Sequence, residues 1–288
     1  MSTGISRIGV VGAGTMGNGI AQLFAMAGRQ VVMRDLKPQF VDRGMATITS
    51  SLDRLASRGK LTAEDRDGAL ARVKPTIEMS DLADCDLVVE AVLEDYEIKA
   101  SVLRELDEIC APTTIFATNT SSISVTKLAA VSKDPGRVIG MHFFNPVPLM
   151  QLVEIIRAVQ TSDATCDAIV EMTGEVGKTP HVSKDSYGFV VNRVLIPMIN
   201  EAINCVHEGV ASPADVDEMM KLGANHPMGP LTLADLIGLD VVRNIMETLQ
   251  RGFDDPKFRP SPLLKQMCDA GYLGRKTGRG FFIYEKGG

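Results

Sequence analysis

The sequence predicts an α/β protein: a doubly wound, mostly parallel sheet followed by a smaller, all-helical C-terminal domain. Three observations predict it. Short branched runs such as Ile8–Val11 and "CDLVVEAV" (85–92) alternate with stretches of helical periodicity, the pattern of parallel strands joined by crossover helices. A glycine cluster joins the first strand directly to the first helix. After Gly177 the pattern changes, and long helical segments replace strands. The expected domains are residues 1–185 and 186–288.

The first element is the strand Ile8–Val11, and Gly12, Gly14 and Gly17 follow it as GxGxxG. Ile20, Leu23, Phe24 and Ala27 then recur at helical spacing, Gly28 ends that helix, and Val31–Met33 restarts a strand with Asp35 at its end. A glycine turn feeding a helix N-terminus cradles a pyrophosphate, and an acid about 20 residues on receives ribose hydroxyls. The expected fold is therefore Rossmann-type, with a dinucleotide on residues 12–17 (Gly12, Ala13, Gly14, Thr15, Met16, Gly17) and on Asp35. A 2′-phosphate would meet the charge of Asp35, so NAD is favoured over NADP, although Arg34 softens that preference.

Residues 39–71 read as a long helical region broken near "SRGKLTAED", with Phe40, Val41, Met45, Ile48, Leu52 and Leu55 as its apolar stripe. Arg54, Arg58 and Lys60 crowd the far end, either as a solvated helix end or as a phosphate-binding patch. Next come the strand 85–92, a helix from about Asp95 to Ile109, and the strand-like "TTIFATNTSS" (113–122). Ligands of such sheets bind outside the carboxyl ends of the strands, which places Glu94, Asn119, Ser121 and Ser122 on the ligand side. The alternative for "NTSS" is an ordinary cap on a helix over 125–130.

His142 ends the strand "RVIGMH", and Glu154 interrupts the apolar run "LVEII". A satisfied, half-buried side chain is the plain alternative for the histidine. A lone glutamate among branched residues needs a partner, however. If the two strands are neighbours, the acid orients one imidazole nitrogen and leaves the other to exchange a proton with a hydroxyl. Past the turn near residue 185, Asn192 falls early in a long apolar helix, where it either satisfies backbone or faces a ligand. Ser212–Pro213 reads as a helix start, and "NHPMGPLTLADLIGLD" as a break before a helix that runs to about Gln250.

Composition narrows the class. Hydrophobic residues at 45% and charged residues at 23% are ordinary for a globular chain. A net charge of −6 disfavours general binding to nucleic acid or anionic membrane. The 5 dispersed cysteines suit a reducing compartment, and the 4 histidines show no ligand spacing, so no metal is expected. Neither a signal peptide nor an apolar run of about 18 residues is present, so a soluble, cytoplasmic protein is expected.

"GAGTMGNGIAQ", Asp35, "VVEAVLED", "NTSSISV", "GMHFFNPVPLMQLVEII", "YGFVVNRVLIPMINEA", "KLGANHPMGP" and "GRKTGRGFF" together resemble the 3-hydroxyacyl-CoA dehydrogenase family, in order and over nearly the whole chain. The resemblance is strongest to its short-chain branch acting on 3-hydroxybutyryl-CoA. It implies His142 as the base of oxidation, Glu154 as its orienting acid, Ser121 on the substrate oxygen and Asn192 completing the polar set. It further implies NAD contacts from Glu94, Lys99, Ser121 and Asn145 besides the glycine turn and Asp35. Coenzyme A contacts fall on Ser51, Arg58 and Lys276, with Lys60 able to share the task of Arg58. Arg58 stands where the family usually has lysine, and Tyr187 where it usually has proline. An acyl-CoA thioester substrate and a homodimer through the helical domain follow from the same resemblance. The competing readings are a relative acting on another hydroxy acid, such as 3-hydroxyadipyl-CoA or a sugar acid, and a non-catalytic NAD-binding protein.

Overall fold

The computed structural model describes residues 3–285. The chain divides into two compact units, one ending at Ser186 and the other starting at Tyr187. In the first unit the order is β1 (Arg7–Val11), α1 (Thr15–Met26), β2 (Gln30–Arg34), α2 (Pro38–Ser57), α3 (Ala63–Ala71), β3 (Val73–Thr76) and β4 (Leu87–Glu90). It continues through α4 (Tyr96–Ile109), β5 (Ile115–Thr118), α5 (Val125–Ala129), β6 (Val138–Phe143), β7 (Leu152–Arg157), α6 (Asp163–Glu175) and β8 (Thr179–Lys184). The strands form one eight-stranded sheet in the order β3-β2-β1-β4-β5-β6-β7-β8. Every neighbouring pair is parallel except β6 and β7.

Strands covered on both faces must be apolar throughout, and this one chemical demand explains the central runs. Ile8, Val10, Val11, Leu87, Val88 and Val89 have no exposed surface. The α1 stripe of Ile20, Leu23 and Phe24 packs into the same core, where burying Phe24 alone contributes about 1.5–3 kcal/mol. The break expected near "SRGKLTAED" is where α2 ends and α3 begins, with Thr62 capping α3 by accepting from the Asp65 N–H at 3.0 Å.

Two elements escape the sequence reading. The strand β3 reads "VKPT", and its proline is tolerated because β2 is its only sheet neighbour. The helix α6 carries small and polar residues, and Ser162 caps it by accepting from the Thr165 N–H at 3.2 Å.

The second unit comprises α7 (Val191–His207), α8 (Pro213–Ala224), α9 (Pro230–Ile237), α10 (Leu239–Phe253) and α11 (Pro262–Asp269). Ile199, Ile203, Leu231, Leu239, Met246 and Leu249 lie in its core. Ser212 caps α8 as its Ser-Pro start predicts. Where one helix was expected to run to Gln250, two occur, because Gly238 adopts φ 102° between α9 and α10. The fully buried Asp235 accepts from the N–H groups of Phe281 and Phe282 and from the Tyr284 hydroxyl, each at 3.0 Å, which ties down the C-terminal segment. Burial and that hydrogen bond push the Tyr284 phenol up to about 12. Among the described residues no helix is long and apolar enough to cross a membrane.

Candidate active site

The strand order reverses at β1 and β4, which leaves a crevice at their carboxyl ends. The glycine turn stands there, and two of its glycines answer to a steric restraint. Gly12 has φ 105°, and a side chain on it would come within 2.5 Å of the Ala91 carbonyl oxygen. One on Gly17 would meet the Gly12 carbonyl oxygen at 1.8 Å. Around Gly14 there is open space to 4 Å. The α1 N-terminus has no side-chain cap and no acid in its first turn, so its N–H groups and dipole are available to an anion. Asp35 accepts from the Ala13 N–H at 2.7 Å and from the Leu36 N–H at 2.6 Å, so it braces the turn. These residues fit a dinucleotide. Gly17→Ala should weaken NAD binding at least about tenfold, because the methyl group must displace backbone. Isothermal titration against NAD reads this directly, and an unchanged affinity would contradict the packing argument.

Past β4, Glu94 organises the "NTSS" loop. One of its oxygens accepts from Thr120 Oγ1 at 2.6 Å, the N–H groups of Ser121 and Ser122 at 2.8 and 2.9 Å, Ser122 Oγ at 2.9 Å and Ser121 Oγ at 3.3 Å. Burial alone would raise the Glu94 pKa, but the Lys99 charge and these hydrogen bonds overcome it and hold the carboxyl below its usual range. Lys99 itself is 1% exposed, with its ammonium 2.8 Å from Glu90 and 3.3 Å from Glu94. The lysine expected to touch the cofactor therefore faces inward and steadies Glu94. Glu90, which the sequence reading did not single out, is the buried root of the network. Ser124, not Ser121 or Ser122, caps α5 by accepting from the Lys127 N–H at 3.1 Å, which spares Ser121 that task.

His142 lies one residue from the end of β6, directly opposite Glu154 of β7 in the antiparallel ladder. Residues directly opposite project to the same face of a sheet, so the register alone makes the two side chains neighbours. His142 Nδ1 is 2.7 Å from Glu154 Oε2, with the residues 6% and 3% exposed. A carboxylate oxygen facing an imidazole nitrogen at this distance fixes the orientation of the ring. The Phe144 ring lies 4.6 Å away, centroid to centroid. Asn119 Oδ1 accepts from the Phe143 N–H at 3.0 Å, which binds the "NTSS" loop to the strand that carries His142.

A pocket of about 480 Å³ opens between α1, α2 and the segment after β6, lined by Thr15, Gln22, Arg43, Ser51, Arg54 and Asn145 among others. Ser51, expected at coenzyme A, and Asn145, expected at NAD, both line this one pocket. Arg58 and Lys60, expected as the phosphate grip, are exposed beyond the end of α2 and outside this lining, which draws on Arg43 and Arg54 of the α2 face instead. Arg43 carried no signal beyond its spacing, 11 residues or about three helical turns before Arg54. In the second unit, Asn192 occupies the first turn of α7, and the exposed Lys276 ammonium sits 2.5 and 2.6 Å from the two oxygens of Asp240. No group of three or more His, Cys, Asp or Glu able to hold a metal occurs among the described residues.

A dinucleotide cradle and a carboxylate-oriented histidine on one sheet edge define an NAD-dependent dehydrogenase. Comparison with known proteins narrows the class. Residues 7–186 match the 3-hydroxyacyl-CoA dehydrogenase NAD-binding domain, and residues 188–284 match the C-terminal domain of the same family. The chain is 54% identical over 278 residues to a probable 3-hydroxybutyryl-CoA dehydrogenase of Deinococcus radiodurans, covering 96% of this chain and all of that one. It is 49% identical to the 3-hydroxybutyryl-CoA dehydrogenase of Clostridioides difficile, over 97% of this chain and all of that one. The crystal structure of (S)-3-hydroxybutyryl-CoA dehydrogenase from Ralstonia eutropha superposes with a TM-score of 0.95 at 55% identity, over 98% of this chain and all of that one. The chain belongs to the 3-hydroxyacyl-CoA dehydrogenase family.

Proposed function

We propose that the protein interconverts short-chain (S)-3-hydroxyacyl-CoA and 3-oxoacyl-CoA, with 3-hydroxybutyryl-CoA and acetoacetyl-CoA as the foremost pair. The observation that carries this reading is the buried 2.7 Å contact between His142 and Glu154 at the sheet edge that holds the glycine turn. Bound NAD supplies the nicotinamide that takes or returns the hydride. In oxidation His142 Nε2 receives the substrate's hydroxyl proton, and Glu154 stabilises the imidazolium that results. In reduction the same nitrogen returns the proton. Ser121 Oγ, whose 3.3 Å contact is the longest of those on its Glu94 oxygen, turns to the substrate oxygen. Asn192 and Lys276 keep the roles the family resemblance gives them, a polar contact to substrate and a cation for coenzyme A.

The pocket beside α2 takes the nucleotide end of coenzyme A, where Arg43 and Arg54 offer charge to its phosphates and Ser51 a hydroxyl. Exposed apolar residues on the helical unit, Val194, Met219 and Leu222 at 64–83%, support a homodimer through that unit. All 5 cysteines are free, as a reducing cytoplasm allows. The test is NADH oxidation by acetoacetyl-CoA, followed at the nicotinamide absorbance band with NADPH run alongside. Fast turnover with NADH and slow turnover with NADPH is expected. Turnover of free 3-oxo acids with none of the CoA thioester would defeat the reading.

A further inference from the structure

Lys178 takes no part in the chemistry above, yet it is 6% exposed. Its ammonium donates to the main-chain carbonyls of Met150 at 2.7 Å, Val147 at 2.8 Å and Pro148 at 3.4 Å. Those carbonyls belong to the connection between β6 and β7, and so between the strands of His142 and Glu154. Pro146 and Pro148 have no N–H, while the N–H groups of Leu149 and Met150 both turn to the Pro146 carbonyl at 3.0 Å. The carbonyl of the buried Val147 takes its donor from elsewhere in the fold, and an ammonium with three protons serves it together with those of Pro148 and Met150. The stem of Lys178 is anchored on both sides: its own N–H donates to the Thr173 carbonyl of α6 at 3.1 Å, and the next N–H, of Thr179, to Gln151 at 2.8 Å. Burial lowers the Lys178 pKa, as befits a cation whose hydrogen bonds all go to neutral oxygens.

The same connection forms one wall of the pocket that holds Arg43, Ser51 and Arg54, through Asn145, Pro146, Val147 and Pro148. It rests on α1 at Gly19, where an added side-chain carbon would stand 3.0 Å from Val147 Cβ. Lys178 therefore grips from below a wall that α1 meets closely. The His142–Glu154 pairing is held separately, by ladder pairs from Gly140↔Ile156 to Phe143↔Val153.

We propose that Lys178 is a positioning residue that sets the wall of this pocket and thereby the discrimination of coenzyme A thioesters from thioesters without the nucleotide. The proposal rests on the reading that the pocket receives the nucleotide end of coenzyme A. It separates grip from chemistry: loss of Lys178 loosens the wall and leaves proton transfer in place.

The experiment compares wild type, Lys178→Met and Lys178→Arg on two substrates, acetoacetyl-CoA and the acetoacetyl thioester of pantetheine, which lacks the nucleotide. In Lys178→Met, KM for the CoA thioester should rise roughly tenfold or more, the scale of a polar group left unsatisfied. KM for the pantetheine thioester and kcat for both should stay within about threefold of wild type, since neither depends on the wall. Lys178→Arg, which keeps a charged donor, should recover part of the KM. If Lys178→Met does not fold, Lys178→Gln, whose amide reaches at most two of the carbonyls, is held to the same comparison. Wild-type discrimination with an unchanged ratio in the variant overturns the role of Lys178 alone. An equal loss on both substrates, or a fall in kcat with KM unmoved, overturns it in favour of plain structural support. A wild type that does not distinguish the two thioesters overturns the pocket assignment and the proposal with it.

Discussion

Replacing His142 with alanine should lower turnover of acetoacetyl-CoA by roughly 10²–10⁴-fold, the range for loss of a positioned acid–base group. Binding of NADH should not change, because the glycine turn and Asp35 lie on other strand ends, past β1 and β2. Steady-state rates with a fluorescence titration of NADH separate the two quantities. The geometry makes a further demand. Glu154 acts through the imbedded imidazole 2.7 Å away, so Glu154→Gln added to His142→Ala should cost little beyond the single change. A histidine variant that retains turnover within about threefold, or losses that simply add, would show that the proton travels another way.

Lys99→Met should destabilise the protein by about 3–5 kcal/mol, the usual consequence of leaving one member of a buried ion pair alone. Glu90 has no exposed surface, and it accepts from the Val92 N–H at 2.7 Å, Thr118 Oγ1 at 2.7 Å and Lys99 at 2.8 Å. Without the ammonium the carboxylate keeps two neutral donors and no charge to answer its own. The exposed pair Lys221–Glu218 of α8 offers a control, because such surface pairs contribute about 0–1 kcal/mol. Urea unfolding measures both. Glu90→Gln in the Lys99→Met background should restore part of the loss, since it removes the unanswered charge. A Lys99→Met protein as stable as wild type would mean that Glu90 finds another counter-charge or takes up a proton at little cost.

Much of the first unit was legible from local chemistry. The apolar runs that became β1, β2, β4, β5 and β6 are buried on both faces, so their sequences alternate little and stand out from the helices between them. The glycine turn was legible because sterics leave no other residue at Gly12 and Gly17. His142 and Glu154 were each visible as polar residues in apolar runs, but their contact was conditional on strand adjacency. Only the antiparallel pairing of β6 with β7 supplies that. What the sequence concealed depends on long-range partners. Lys99, given to NAD by the family resemblance alone, stands one turn into α4, and nothing local shows that Glu90 is fully buried beneath it. Lys178 was equally silent, since its partners are backbone oxygens about 30 residues away in sequence. The strand β3, with a lysine and a proline in four residues, lacks any strand pattern because an edge asks for none.

The antiparallel turn-back from β6 to β7 carries a consequence for how errors are excluded. Side chains alternate across a sheet with a period of two, so a slip of one rung would send Glu154 to the opposite side from His142. A slip of two would restore the face but leave acid and imidazole on a diagonal, about 7–8 Å apart at the backbone rather than directly opposed. The machinery for moving a proton thus depends on one frame of assembly, and any chain that closes this hairpin in frame has already aimed it.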